Sequence, residues 1–133
     1  MKSASCKAKG RALQNAVALI VRAAFALPPE DVRPAVMGET GVDIKLSARA
    51  RAVFPFAVEC KKRESLNVWE ALKQAEANAK KEGLRPLLVF QRNRSQAYVA
   101  LPLADFMDLA DTDVRWRALL AEENGQTLEE AEA

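Results

Sequence analysis

Residues 38–63 read GETGVDIKLSARARAVFPFAVECKKR, and this stretch decides the fold. Its first residues, GETG, are typical of a turn. Residues 42–46 then alternate apolar and charged side chains, which predicts a half-buried strand. Residues 56–61 alternate in the same way and predict a second strand. The residues between the two strands are predicted to form a connecting loop or a short helical turn.

Three charged side chains fall on the polar faces of these predicted strands. Asp43 lies on the first strand, and Glu59 and Lys61 lie on the second. Side chains two residues apart on a strand share a face, so Glu59 and Lys61 point the same way, opposite to Val58 and Cys60. If the strands are neighbours, two carboxylates and one ammonium group converge on one patch. An isolated Glu-x-Lys is more often a solvated strand face, but the apolar run before this one favours a site.

That patch suits metal-assisted cleavage of a phosphodiester bond. Carboxylates are the hard oxygen ligands that Mg²⁺ or Mn²⁺ prefers. A bound ion of this kind polarises a phosphate, and a neighbouring lysine can orient or deprotonate the attacking water and stabilise the developing charge.

The flanking sequence predicts a helix on each side of this stretch. A first helix over residues 10–27 has its apolar residues at helical spacing, namely Leu13, Ala16, Val17, Ile20 and Ala24. A second helix over residues 67–82 starts at Asn67 as N-cap, with Glu70 three residues later, and ends at Gly83. Its predicted apolar stripe consists of Val68, Leu72, Ala75 and Ala79.

The last part of the chain adds four predicted elements: strands over 86–91 and 97–101, and short helices over 103–110 and 114–122. The order α-β-β-α-β-β-α predicts one α/β domain with a mixed β-sheet flanked by helices. We assign residues 1–9 to a basic N-terminal arm, residues 10–123 to this domain and residues 124–133 to an acidic C-terminal tail.

Charge is distributed unevenly along the chain. Residues 1–103 hold 18 of the 20 Lys and Arg residues but 9 of the 18 Asp and Glu residues, whereas residues 104–133 hold two basic and nine acidic residues. The first 29 residues contain no acid. A basic body with an acidic tail favours a polyanionic partner, most often nucleic acid. Ordinary solubility charge is the alternative, but it explains an evenly mixed surface better.

The residue types that are missing exclude several classes of chemistry. The chain has no histidine, which excludes Ser-His-Asp and Cys-His catalysis and any zinc site built on imidazole. The two cysteines form no Cys-x-x-Cys pair, and we interpret them as reduced thiols of a cytoplasmic protein. No apolar run reaches the roughly 20 residues needed to span a bilayer, so no membrane partner is expected.

At this point the chain resembles a known superfamily. Gly-Val-Asp at residues 41–43, Glu-Cys-Lys at residues 59–61 and Gln74 in the next helix resemble the PD-(D/E)XK nucleases. Lys-Gly-Arg at residues 9–11 is similar to the opening of the first helix in archaeal and phage Holliday junction resolvases. Residues 37–79 look like a family of small phage-encoded endonucleases.

The resemblance implies a restriction-endonuclease-like core and a Mg²⁺- or Mn²⁺-dependent endodeoxyribonuclease. It implies that Asp43, Glu59 and the backbone carbonyl of Cys60 bind the metal, that Lys61 holds the nucleophilic water, and that Gln74 supports the site or touches phosphate. Junction-resolving enzymes are usually homodimers that act on branched DNA in recombination. For a phage-encoded chain, the place of action would be the cytoplasm of the bacterial host.

Some assignments stay open at this point. Gln14 stands where many resolvases have a glutamate ligand, and Glu39 is close enough to Asp43 in sequence to compensate, so the number of metals is undecided. Val42 stands where the superfamily name has proline. Five cations are candidates for phosphate contacts, with an unselected surface as the alternative for the first three: Lys7, Lys9, Arg11, Lys62 and Arg63. Trp69 and Trp116 are interpreted as packing or interface residues. The alternative functions are a nicking or repair-type nuclease of the same fold and a catalytically weak DNA-binding module.

Overall fold

The computed structural model describes residues 4–125, which form four helices and five strands. Their bounds are α1 Ala4–Phe25, β1 Val32–Pro34, β2 Ile44–Leu46, α2 Ala48–Val53, β3 Phe56–Lys62, α3 Val68–Glu82, β4 Arg85–Gln91, β5 Tyr98–Ala100 and α4 Leu103–Glu123. Two compact units are present: the first ends at Leu101 and the second begins at Pro102. The predicted α/β class with helices and a mixed sheet is confirmed. The acidic tail beyond residue 125 lies outside the described residues.

The first unit contains a mixed three-stranded sheet and a separate two-stranded one. Strand β3 pairs with β4 in parallel, and β4 pairs with β5 antiparallel. A parallel pair needs a crossover connection, and α3 supplies it. Strands β1 and β2 form an antiparallel pair of their own. The backbone N–H of Asp43, just before β2, donates to the Val58 carbonyl of β3 at 3.0 Å, so the two motif segments lie side by side although their strands belong to different sheets.

Strand β3 is buried on both faces by α1 and α3. Val58 and Cys60 belong to a core cluster with the buried face of α1, and Ala57 belongs to a second cluster with Val42 and Ala79. A strand covered on both faces reads as an almost continuous apolar run, which explains the sequence Phe-Ala-Val before Glu59. The core therefore holds the strand that carries the Glu-x-Lys motif in a fixed place.

The ends of α3 agree with the prediction in atomic detail. The Asn67 side chain accepts the N–H of Glu70 at 3.2 Å, which satisfies one donor of the first turn. Gly83 adopts a left-handed conformation with φ of 66°, the usual C-terminal stop. The buried residues of the helix are Ala71, Ala75 and Ala79, and their small side chains allow α3 to lie close to β3.

Other elements differ from the prediction. Helix α1 begins at Ala4, so residues 4–9, predicted as an arm, are helical. Strand β1 was not predicted, because a three-residue strand with a proline carries almost no periodic signal. The buried face of α1 is Leu13, Val17, Ala18 and Val21, while Ala16, Ile20 and Ala24 are exposed. Alanine is abundant on every side of this helix, and the core-facing stripe is therefore ambiguous in sequence.

The second unit contains one long helix where two short ones were predicted. Helix α4 runs without a break through residues 111–113, which separate the two predicted short helices. Ion pairs at i,i+4 spacing join Asp111 to Arg115 and Asp113 to Arg117, each at 3.0 Å, and such pairs stabilise a helix. None of the helices within residues 4–125 is both long and apolar enough to cross a bilayer.

Candidate active site

Asp43, Glu59 and Lys61 lie together at one cleft of the first unit. The Cys60 backbone N–H donates to Asp43 Oδ2 at 2.7 Å, which ties the first motif residue to the strand carrying the other two. Lys61 Nζ lies 3.5 Å from Glu59 Oε1. All three side chains line a cleft with a volume of about 380 Å³. The structure thus places the predicted patch where the sequence indicated.

Glu59 is buried more deeply than an alternating strand pattern suggests. Its exposed fraction is 3%, because α3 covers the face of β3 that carries it. Asn78 of α3 donates its side-chain N–H to Glu59 Oε2 at 3.3 Å. Sequence reasoning did not assign Asn78 to the site. Its position four residues after Gln74, on the same helical face, was the signal that could have found it.

The two carboxylates share a poorly solvated region, in which burial outweighs the effect of the nearby positive charge on their pKa values. Burial, and then the charge of Asp43, raise the pKa of Glu59 to about 7, against the opposing effects of Lys61 and Asn78. Burial also raises the pKa of Asp43, and the Cys60 N–H and the Lys61 ammonium oppose that rise. A buried and a half-buried carboxylate that both resist ionisation would be stabilised as anions by a cation between them.

This arrangement predicts an unusual dependence of stability on pH. Glu59 has an ordinary pKa of 4.5, and about 7 in the folded protein. Between these values the native state binds more protons than the unfolded state, so stability falls as pH rises. In the absence of metal, we expect Glu59→Gln to be more stable than the wild type at pH 8. The difference in free energy of unfolding between variant and wild type should shift in favour of the variant by roughly 2 kcal/mol from pH 5 to pH 8. Urea denaturation of both proteins at both pH values measures this difference, and a difference independent of pH would contradict it.

Cations from two elements form the walls of the cleft. Lys7, Arg11 and Gln14 line it from α1, because residues at i, i+4 and i+7 share one face of a helix. Lys62 and Arg63 line it from the end of β3 and the residue after it. Gln74 lines it from α3. Lys9 is absent from the lining residues, because it lies on another side of α1.

The two residues left open by the sequence, Gln14 and Glu39, both line this cleft. Glu39 is engaged elsewhere: Arg33 donates to both of its carboxylate oxygens, at 2.7 and 3.2 Å, and the Val36 N–H donates to Oε1 at 2.8 Å. The Arg33 hydrogen bond, with that of Val36, lowers the pKa of Glu39 to about 2. Within residues 4–125, no three acidic, cysteine or histidine side chains come together in a metal-binding arrangement.

The residues of the cleft fit a magnesium ion that remains partly hydrated. Mg²⁺ is commonly bound through one or two carboxylates, with water and substrate phosphate completing its shell. Asp43 and Glu59 supply two carboxylates, and both resist ionisation without a cation. The set contains only oxygen donors from side chains, which suits a hard cation.

The two tryptophans, for which packing or an interface role was predicted, are both exposed. Trp69 is 82% exposed and Trp116 is also exposed, so neither packs inside the part of the chain that the structure describes. This exposure contradicts the packing alternative, and the interface alternative stays a prediction. Neither tryptophan lines the cleft.

A comparison with protein families gives one match, and it agrees with the motif residues. The family model described as "phage putative PDDEXK endonuclease" matches residues 31–127, more than half of the chain. The matched region contains Asp43, Glu59, Lys61 and Gln74. Comparison with curated proteins and with solved structures found no significant match. The resemblance to PD-(D/E)XK nucleases and to phage-encoded endonucleases is confirmed, while the resemblance to junction resolvases stays a prediction; the chain belongs to this phage family of PD-(D/E)XK endonucleases.

Proposed function

We propose that the protein is a metal-dependent endodeoxyribonuclease that hydrolyses phosphodiester bonds in branched DNA. One observation carries the proposal: the buried carboxylate of Glu59, the half-buried carboxylate of Asp43 and the ammonium of Lys61 lie at a cleft whose walls hold four further cations. Family membership supports nuclease activity. The requirement for a metal and the preference for branched DNA go beyond the family description.

Asp43 and Glu59 would hold the ion, with the backbone carbonyl of Cys60 as a further ligand. When bound, a divalent cation supplies polarisation of the scissile phosphate and favours ionisation of the attacking water. Lys61 would orient that water and stabilise negative charge as it develops on the phosphate, because its ammonium group lies beside Glu59. Gln74, on the rim of the cleft, would support the site or contact phosphate.

The choice of branched DNA rests on the resemblance of the first helix to that of junction resolvases. Resolution of a four-way junction needs two symmetric cuts, and a homodimer supplies two sites. Such an enzyme would act in recombination, in the cytoplasm of the bacterial host. The alternatives are a nicking or repair-type nuclease of the same fold, which would act on other DNA without preference for a junction, and a catalytically weak DNA-binding module, which would not cut.

Cleavage assays on three labelled DNAs test the proposal directly. The full-length protein with Mg²⁺ is incubated with a four-way junction, a linear duplex of the same sequence and a single strand. We expect the junction to be cut fastest, at symmetric positions on opposing strands. Equal rates on junction and duplex would favour the nicking alternative. Binding without cleavage of any of the three would leave only the DNA-binding module.

The cations of α1 provide a matched test of DNA binding. Substitution of Lys7 and Arg11, which line the cleft, by alanine is expected to weaken binding to all DNA sequences equally. The steepness with which the logarithm of the binding constant falls with the logarithm of the salt concentration should decrease by about two. Lys9→Ala removes the same type of charge from the same helix outside the cleft, and should change little. Fluorescence anisotropy over a salt series measures both. An equal effect of Lys9→Ala would show that net charge, and not the cleft, governs binding.

A further inference from the structure

The turn that contains Val36 and Met37 lies at the cleft described above. Val36 and Met37 line the cleft together with Asp43 and Glu59. Val36 is 62% exposed and Met37 is 85% exposed, the largest exposed fraction among the large hydrophobic residues of the described chain. Neither side chain is accounted for by packing or by the chemistry proposed for the site.

Hydrogen bonds hold this turn in place. The carboxylate of Glu39 accepts from Arg33 and from the Val36 N–H, and the Glu39 N–H donates back to the Val36 carbonyl at 3.1 Å. Lys45 Nζ donates to the Thr40 carbonyl at 2.7 Å. These hydrogen bonds fix the backbone of the turn, and its apolar side chains are exposed from it.

The turn is also joined to a motif residue. The Ala35 N–H donates to the backbone carbonyl of Asp43 at 2.7 Å, two residues before Met37. Gly38 and Gly41 adopt φ values of 89° and 90°, a conformation that side chains rarely allow. These two glycines permit the tight path that keeps the turn beside Asp43. Met37 therefore has a defined position relative to the candidate catalytic groups.

The chemistry of the cleft indicates what Met37 would contact. A cleft that bound only the phosphate backbone would gain from polar or basic residues along its edge, as Lys7 and Arg11 provide. The apolar side chain of an exposed methionine makes no favourable contact with a phosphate group, but it can pack against the face of a base. Proteins use methionine and other apolar residues in this way when they insert into a base step. In continuous duplex the base faces are already stacked on one another, so this contact requires unstacking.

We propose that Met37, with Val36 beside it, packs against a base face exposed near the scissile phosphate, and so selects DNA in which base stacking is already interrupted. The inference rests on the proposed function, because it uses the same cleft and the same substrate. It names a specificity-determining residue and a class of DNA: duplex with an unpaired nucleotide, a mismatch or a branch. Interrupted DNA offers the base face at a lower cost of unstacking than continuous duplex does.

Binding in chelator tests this without cleavage. Affinity of the full chain is measured by anisotropy for two duplexes of matched sequence, one fully paired and one with a single unpaired nucleotide. We expect the wild type to prefer the interrupted duplex. Met37→Ser should lose most of that preference: the ratio of the two affinities should fall by about tenfold, the effect of burying a methionine side chain. Met37→Leu retains apolar bulk and should keep the preference. The affinity for continuous duplex should be the same in all three proteins.

The salt dependence separates this contact from phosphate binding. Absolute affinities should fall as salt increases, while the ratio between the two duplexes stays constant, because an apolar contact releases no counterions. A preference retained in full by Met37→Ser, or equal losses on both duplexes, would overturn the proposal and leave the nuclease assignment intact. Absence of both DNA binding and cleavage in the wild type would instead overturn the proposed function. Thermal unfolding of each variant confirms that the exposed substitutions leave the fold unchanged.

Discussion

Glu59→Gln and Asp43→Asn are each expected to reduce the rate of DNA cleavage on the order of 10³-fold. Each change replaces a charged oxygen ligand by a neutral amide of nearly the same shape. The amide oxygen binds a hard cation more weakly, so the ion that stabilises the reacting phosphate is held less tightly. Single-turnover cleavage with saturating protein measures the chemical step apart from DNA affinity.

The same two variants should bind DNA as well as the wild type does, or better. In the proposed complex the two carboxylates would face DNA phosphates, and they repel phosphate when no cation lies between them. Anisotropy in chelator measures this, and a parallel loss of binding and cleavage would indicate a damaged fold and not a damaged site. Near-normal cleavage by both folded variants would refute the assignment of this site.

Lys61→Ala and Gln74→Ala serve as the comparison within the same cleft. Lys61 lies against Glu59 and is expected to act on the reacting groups, so its removal should abolish cleavage with a smaller effect on metal affinity. Gln74 lines the rim without a hydrogen bond to either carboxylate in the described structure, and its loss should be milder. Equal losses in both variants would contradict these separate roles.

The position of the site could be predicted because it depends on local rules. Alternation along a strand places Glu59 and Lys61 on one face whatever the rest of the chain does. The capping residues Asn67 and Gly83 fix the ends of α3 by hydrogen bonds and conformations that involve only near neighbours. The convergence of Asp43 needed one additional assumption, that the motif segments lie side by side, and the Asp43–Val58 hydrogen bond satisfies it.

The environment of the site could not be predicted in the same way. Alternation in β3 suggested that the face of Glu59 is open to solvent, but the parallel pairing of β3 with β4 brings α3 over that face. That covering depends on residues far apart in sequence, and it decides the pKa of Glu59. The engagement of Glu39 with Arg33 likewise depends on β1, an element too short to show any periodicity.

Removal of divalent ions is expected to abolish cleavage and also to change the stability of the protein in a pH-dependent way. At pH 8 both Asp43 and Glu59 are forced towards the ionised state although burial disfavours it. A divalent cation that binds only the native state stabilises it by RT ln(1 + [Mg²⁺]/Kd), so the stabilisation grows with the affinity of the site. At pH 5 protonated carboxyl groups compete with the ion, since a ligand must be deprotonated to bind.

Mg²⁺ should therefore raise the melting temperature strongly at pH 8 and weakly at pH 5, and EDTA should reverse the effect. Glu59→Gln should show a much smaller response at pH 8, because it lacks the second carboxylate. This thermal readout does not depend on activity, so it distinguishes a site that binds metal from one that merely requires an intact fold. Robust cleavage in EDTA would refute the metal-dependent mechanism, and an equal thermal shift in Glu59→Gln would show that the ion binds elsewhere. Loss of cleavage in EDTA, restored by Mg²⁺ or Mn²⁺ and accompanied by the pH-dependent shift, is the result that the carboxylates of Asp43 and Glu59 at a cationic cleft predict.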